Sequence, residues 1–266
     1  SNGAGCSWGM GEFWSMSTYE RKNLMQIVKD HANDWPVAAH ITHTSVTDIL
    51  ELARFCEDIG YELLILGAPY FATRKVSQVI DFVEYISSKT NLAIMYYNSP
   101  QFGTLLDETE LEKIVNIENI VGVKEASFNP EISIKSHVNL GEKAIISTPD
   151  EWIFWEGKKS GFQQTVMFAN TSDWRFDTPE NNSYTTFVQN ACNGNIDDNL
   201  YNSEIKEIKS ISDEWWGKIV SDAGGVLPVA LCKYWGEIVG MSSGGPRPPV
   251  KDMNNSDKAK LKNQLI

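Results

Sequence analysis

Basic residues are scarce in this chain. Its 266 residues hold 23 Lys and Arg against 35 Asp and Glu, a formal net charge of −12 that repels phosphate backbones and anionic lipid surfaces. Neither nucleic acid nor membrane is therefore expected as a partner. Cysteine is also rare: Cys6, Cys56, Cys192 and Cys232 stand far apart, with no CxxC pair and no metal-ligand spacing. That excludes a disulfide scaffold and fits reduced thiols in a cytoplasmic protein. No apolar run approaches the ~18 residues of a membrane helix, and Ser1-Asn2-Gly3 does not open a basic-then-apolar export signal. With 42% apolar residues, 19 Gly and 10 Pro, the chain is neither disordered nor collagen-like.

What the sequence has instead is alternation. Short β-rich apolar runs at 4–9, 36–42, 62–68, 92–98, 120–125, 143–148 and 161–170 are separated by amphipathic helical stretches, with Gly, Pro or Asn at the switches. They lie roughly 20 to 35 residues apart, the interval of one strand plus one helix in a parallel α/β sheet. In 45–58, Ile49, Leu52, Ala53 and Cys56 fall on one helical stripe and Gly60 follows as a stop. Asp107 and Glu110 form a capping-box pair ahead of Leu111, Ile114 and Val115. Beyond the last run the texture is helical, with Ile205, Ile208, Ile211, Trp215 and Ile219 on one face, a further helix before Gly240, and an extended Gly244-to-Pro249 tail. The expected organisation is a (β/α)8 TIM barrel over 1–178 and closing helices with a C-terminal helical extension over 179–266. Seven strands are one short of a closed barrel, so a first βα unit of roughly 30 residues is expected ahead of residue 1.

Lys124 ends the otherwise buried run Ile120-Val121-Gly122-Val123, where desolvation would lower its pKa toward nucleophilic range. The plain alternative is a strand-end lysine reaching solvent. Tyr97 ends the preceding run and would project at the same barrel rim, as a proton relay or as a packing tyrosine.

These strings resemble the dihydrodipicolinate synthase and N-acetylneuraminate lyase family of Schiff-base aldolases. Along nearly the whole chain the resemblance is carried by Gly11-Glu12, Met16-Ser17-Thr18-Tyr19-Glu20-Arg21, Ala68-Pro69-Tyr70, Tyr97-Asn98-Ser99-Pro100, Gly122-Val123-Lys124-Glu125-Ala126 and Arg247-Pro248-Pro249. It implies that Lys124 attacks a 2-oxo acid to form a protonated imine and that Tyr97 shuttles protons. No metal or organic cofactor is then required, because the imine is itself the electrophile. A homo-oligomer, dimer or tetramer, is implied as well.

Three departures bear on substrate. Gly9 and Met10 stand where the family usually has hydroxyl residues before Gly-Glu, leaving the backbone N–H groups of Gly9, Met10 and Gly11 to bind a carboxylate. Phe71 replaces the synthases' second tyrosine, and Gln101-Phe102-Gly103 lacks their arginine. Lysine-biosynthetic condensation is therefore not expected. Asn98, His40, Asp150 and Asn170 join Gly9, Met10, Gly11 and Phe71 as candidate substrate-binding residues, with His43, Asp173 and Trp174 at the same rim. His40 and His43 would point to opposite faces of a strand, against a metal pair. Trp8, Trp14 and Trp174 near strand ends offer rings for stacking, and Glu12 reads as a structural acceptor beneath the site. The resulting expectation is a class I lyase acting on a 2-oxo acid, a pyruvate-type aldolase or sugar-acid dehydratase. The alternative is a non-catalytic binding or structural barrel of the same family.

Overall fold

The computed structural model describes residues 2–169, 177, 178 and 180–265. The chain divides into two compact units, one of Ser1–Trp8 with Met16–Asn170, the other of Gly9–Ser15 with Thr171–Ile266.

The first unit carries six parallel strands in sequence order: β1 (Ala4–Cys6), β2 (Val37–His40), β3 (Leu63–Gly67), β4 (Ala93–Asn98), β5 (Ile120–Glu125) and β6 (Ile145–Ser147). Helices α1 (Thr18–His31), α2 (Val46–Asp58), α3 (Val76–Ser87), α4 (Glu108–Val115), α5 (Pro130–Leu140) and α6 (Trp152–Ser160) connect or follow them. This is α/β architecture of the TIM-barrel kind. Strands covered on both faces have no polar side, and all four residues of β2 are buried accordingly. The expected α2 stripe of Ile49, Leu52, Ala53 and Cys56 is buried, and Gly60 takes φ +81°, a left-handed stop. Asp107 caps α4 by accepting from Glu110 N at 2.9 Å while Glu110 Oε2 accepts from Asp107 N at 2.9 Å. Such a cap contributes about 1 kcal/mol.

The run 161–170 does not form the expected seventh strand: residues 162–169 carry no strand, and Asn170 lies outside the described residues. Its apolar composition imitates a strand, but side chains make the contacts a ladder would make. Gln164 Oε1 accepts from Thr148 N at 2.6 Å and Gln164 Nε2 donates to Thr148 O at 3.0 Å, while Phe168 N donates to Ser147 Oγ at 3.0 Å. The segment is thus bound along β6 without main-chain pairing.

Buried Arg21 joins the ends of β1 and β2. Its Nε donates to Ser7 Oγ at 2.8 Å, Nη1 to Thr42 O at 3.0 Å and Nη2 to His40 O. Burial lowers its pKa to about 10, so it stays charged at neutral pH.

The second unit contains α7 (Ser183–Cys192), α8 (Asp198–Leu200), a π-turn Tyr201–Ile205, α9 (Lys206–Asp222), α10 (Val229–Ile238) and α11 (Asn255–Leu265). Trp215, Ala230, Leu231, Trp235, Met253 and Leu261 form its core, with Ile208, Ile211 and Ile219 packed against it, as the expected face requires. Glu12, 5% exposed, is a structural acceptor here: Oε1 accepts from Arg247 N at 2.9 Å and Oε2 pairs with Lys233 at 2.6 Å. The Gly244-to-Pro249 stretch, expected to be extended throughout, ends in a turn in which Val250 N donates to Arg247 O at 3.1 Å, and it is held by these bonds and by Lys233 Nζ donating to Gly245 O at 2.9 Å. Among the described residues no helix is long and apolar enough to cross a membrane.

Candidate active site

Lys124 and Tyr97 are register partners on β5 and β4, and residues in register project from the same face. Both are buried, at 4% and 7% exposure. Lys124 Nζ donates to Phe168 O at 2.9 Å and lies 4.9 Å from the ring centroid of Trp8 and 5.2 Å from that of Tyr97. Among the described residues it makes no ion pair. Burial lowers its pKa to about 7, against a smaller opposing pull from the Asp150 carboxylate. Burial pushes the Tyr97 phenol up to about 12.

The surroundings are aromatic. Trp8 stacks on His40 at 6.2 Å and 15°, and meets Tyr97 at 6.0 Å and Phe168 at 5.5 Å. Phe102 lies edge-on to Tyr97 at 5.1 Å. His40 is buried and its Nδ1 donates to Ser7 O at 2.8 Å, which fixes the neutral tautomer. Burial, with the nearby Arg21 charge, lowers its pKa to about 3. The ring beside Lys124 is therefore uncharged at neutral pH.

Two glycines make room for this lining. A Cβ on Gly5 would collide with Trp8 Nε1, with Cε2 only 2.8 Å away, and one on Gly67 would meet Phe102 Cε2 at 2.7 Å. Phe102 is brought in by the 3-10 turn Pro100–Phe102, which Ser99 caps. That loop is pinned by Asn98, whose Nδ2 donates to Leu106 O at 2.9 Å and whose Oδ1 accepts from Leu106 N at 3.1 Å. Asn98 and Glu125 are the next register pair, on the opposite face from Tyr97 and Lys124. Glu125 accepts from Ser127 N at 2.9 Å and from Ser133 Oγ, and burial raises its pKa.

Of the expected substrate-binding residues, His40 belongs to this aromatic cluster and Asp150 acts on Lys124 through its charge. Asp150 also borders a cavity of about 130 Å³ lined by Glu125, Ala126, Phe128, Ser133 and Trp152. Asn98 is occupied with Leu106. Phe71 is 74% exposed with φ +59°. Gly9, Met10 and Gly11 form a short 3-10 turn in the second unit, where Phe13 packs edge-on against Trp14 at 5.6 Å. Asn170, Asp173 and Trp174 lie outside the described residues. His43 turns away to Asp48, 3.6 Å from its Oδ2, and the described residues hold no cluster of metal-ligating side chains.

Sequence reading missed Phe168, Phe102 and the clamp role of Arg21. The Phe168 contribution is a backbone carbonyl and has no side-chain signature. Arg21 did leave a trace, since it shares the buried stripe of α1 with Met25.

Comparison with known proteins agrees with the fold. The model of the dihydrodipicolinate synthetase family matches residues 4–266, and the chain belongs to this family, which comprises lyases including synthases and aldolases. A 4-hydroxy-tetrahydrodipicolinate synthase from Methanosphaera stadtmanae is 24% identical over 262 residues, 96% of this chain and 82% of that one. Among solved structures, the pyruvate complex of YagE, an E. coli K12 prophage protein of the dihydrodipicolinic acid synthase family, superposes with TM-score 0.80 at 17% identity, covering 99% of this chain and 86% of that one. N-acetylneuraminate lyase from Proteus mirabilis gives TM-score 0.77 at 20% identity over 99% of this chain and 85% of that one.

Proposed function

We propose that this protein is a class I lyase that acts on a 2-oxo acid through an imine on Lys124. The observation that carries the reading is a buried strand-end lysine with a pKa near 7, in register with Tyr97. About half of such an amine is neutral at pH 7, where an ordinary lysine is almost wholly protonated.

In this mechanism the neutral Nζ adds to C2 of the 2-oxo acid. Tyr97, which its high pKa keeps protonated, gives its proton to the departing hydroxyl of the carbinolamine, and water leaves a protonated imine. The resulting phenolate takes the proton of a C4 hydroxyl as the C3–C4 bond breaks and its electron pair enters the imine, giving an enamine and an aldehyde. In the dehydratase variant the phenolate takes a proton from C3 to give the enamine, which then expels the C4 hydroxyl as water with the proton returned to it by Tyr97. Pyruvate complexes of family members support a small 2-oxo acid as the carbonyl partner. His40 and Asp150 are the substrate-facing residues this reading assigns within the first unit. It also makes the protein a cytoplasmic homo-oligomer, which sedimentation and cell fractionation test.

Incubation with pyruvate and borohydride followed by peptide mass mapping is the decisive experiment. A reduced adduct on Lys124 is expected, and none in Lys124→Arg. A folded protein that binds pyruvate and yields no adduct would establish the non-catalytic reading, which the absence of hydroxyls at Met10 and Phe71 favours.

A further inference from the structure

Trp8 reaches Lys124 by an unusual backbone route. Ser7, the residue after β1, is buried and has φ +60°, a left-handed conformation that costs a non-glycine residue about 1 kcal/mol or more. It is held there from two sides: Arg21 donates to its Oγ and His40 Nδ1 donates to its carbonyl. The turn folds the next residue, Trp8, back onto Gly5, whose missing side chain is the indole's seat. Strain, a buried arginine, a buried histidine and a glycine thus combine to set one ring.

That ring lies 4.9 Å from Lys124 Nζ, inside the ~6 Å range at which an aromatic face attracts a cation. Tyr97 from β4, His40 from β2 and Asp150 after β6 are the titratable groups around the amine. Tyr97 and His40 are neutral at neutral pH, and Asp150 acts on Nζ through its charge. Among the described residues the Trp8 indole at 4.9 Å, the Tyr97 ring at 5.2 Å and the Phe168 carbonyl meet the positive charge, and an indole is the stronger cation-binding ring of the two.

We propose that Trp8 is a positioning residue that holds the charge of Lys124 Nζ, first as ammonium and then as imine cation, against its indole face. The second half rests on the lyase reading above; the first half does not. If Trp8 only excluded water, shrinking it would admit solvent and raise the lysine pKa toward its ordinary value. If its π face stabilises the cation, the same substitution lowers that pKa. The sign separates the two.

The test is a pH titration of the full chain labelled with ε-¹³C-lysine, with the Lys124 signal assigned by its loss in Lys124→Arg. The midpoint is expected to fall by about half a pH unit in Trp8→Phe and about one in Trp8→Leu. Should Trp8→Leu fail to fold, wild-type protein grown on 5,7-difluorotryptophan, whose ring is electron-poor at nearly unchanged shape, carries the same expectation. Trp8→Phe grown identically controls for the other tryptophans and should show no further shift. A midpoint that rises or stays put in Trp8→Phe and in the fluorinated wild type overturns the proposal. Because the titration needs no 2-oxo acid, an absent borohydride adduct with a lowered midpoint sinks the lyase reading alone.

Discussion

Tyr97 and Lys124 are register partners whose strands continue into a second pair, Asn98 and Glu125, facing the other way. In the proposed mechanism the first pair carries the chemistry, and the second pair has the anchors. Asn98 grips both backbone groups of Leu106 and Glu125 gathers Ser127 and Ser133, so Tyr97 and Lys124 are each followed by a residue fixed on the opposite face.

Removing the anchor tests this division. Asn98→Ala strands the buried N–H and C=O of Leu106, which should cost about 2–3 kcal/mol of stability in denaturant unfolding. It should also slow borohydride trapping on Lys124 without abolishing it, because the loop carrying Phe102 loses its pin.

Tyr97→Phe tests the proton transfers at both stages, loss of the carbinolamine hydroxyl and cleavage. The variant keeps the ring packed against Phe102 and should still be trapped by pyruvate and borohydride, but more slowly, because water must then protonate the departing carbinolamine hydroxyl. Turnover should drop about 10²- to 10⁴-fold, the usual worth of a positioned acid or base. An unchanged rate on every accepted substrate would remove Tyr97 from the mechanism.

Lys124 also shapes stability. Its pKa falls from 10.5 in the unfolded chain to about 7 in the fold, so between these values the unfolded state holds more protons and stability rises with pH. Below about pH 7 the buried ammonium is a liability. Lys124→Met should stabilise the protein at pH 6 by as much as about 5 kcal/mol, and the gain should vanish above about pH 10.5. Unfolding at a series of pH values reads this directly.

The buried histidines act at the acid end. His40 and His137 have pKa values lowered by burial from 6.5 to about 3 and about 4. The stability they support is complete above about pH 6.5 and lost as pH falls through that range, about 1.4 kcal/mol per pH unit for each. His137→Gln, which can still meet Thr148 Oγ1, should flatten the acid limb of the stability curve by one histidine's worth.

Much of this was legible in the chain because periodicity reports burial. The apolar runs ending in Tyr97 and Lys124, the stripe of α2 and the Asp107 cap follow from local residue order alone. The false seventh strand shows the limit of that logic, since apolar spacing says that a segment is covered but not whether backbone or Gln164 makes its hydrogen bonds. The setting of Trp8 was hidden for a different reason. It depends on a left-handed serine held by groups 14 and 33 residues away, and no propensity marks a serine for that conformation. Tryptophan near a strand end was visible; the direction of its ring was not.

The bonds from Glu12 to Arg247 and Lys233 also fix an order of events. Arg247 leaves the ribosome 235 residues after Glu12. At about 5–20 residues per second that is roughly 10 to 50 seconds of synthesis. Throughout that interval the Gly9–Ser15 segment lacks the groups that neutralise and bury its carboxylate. The later-made stretch is what locks the earlier one, so a product stalled before Lys233 would display an acidic loop without its partners.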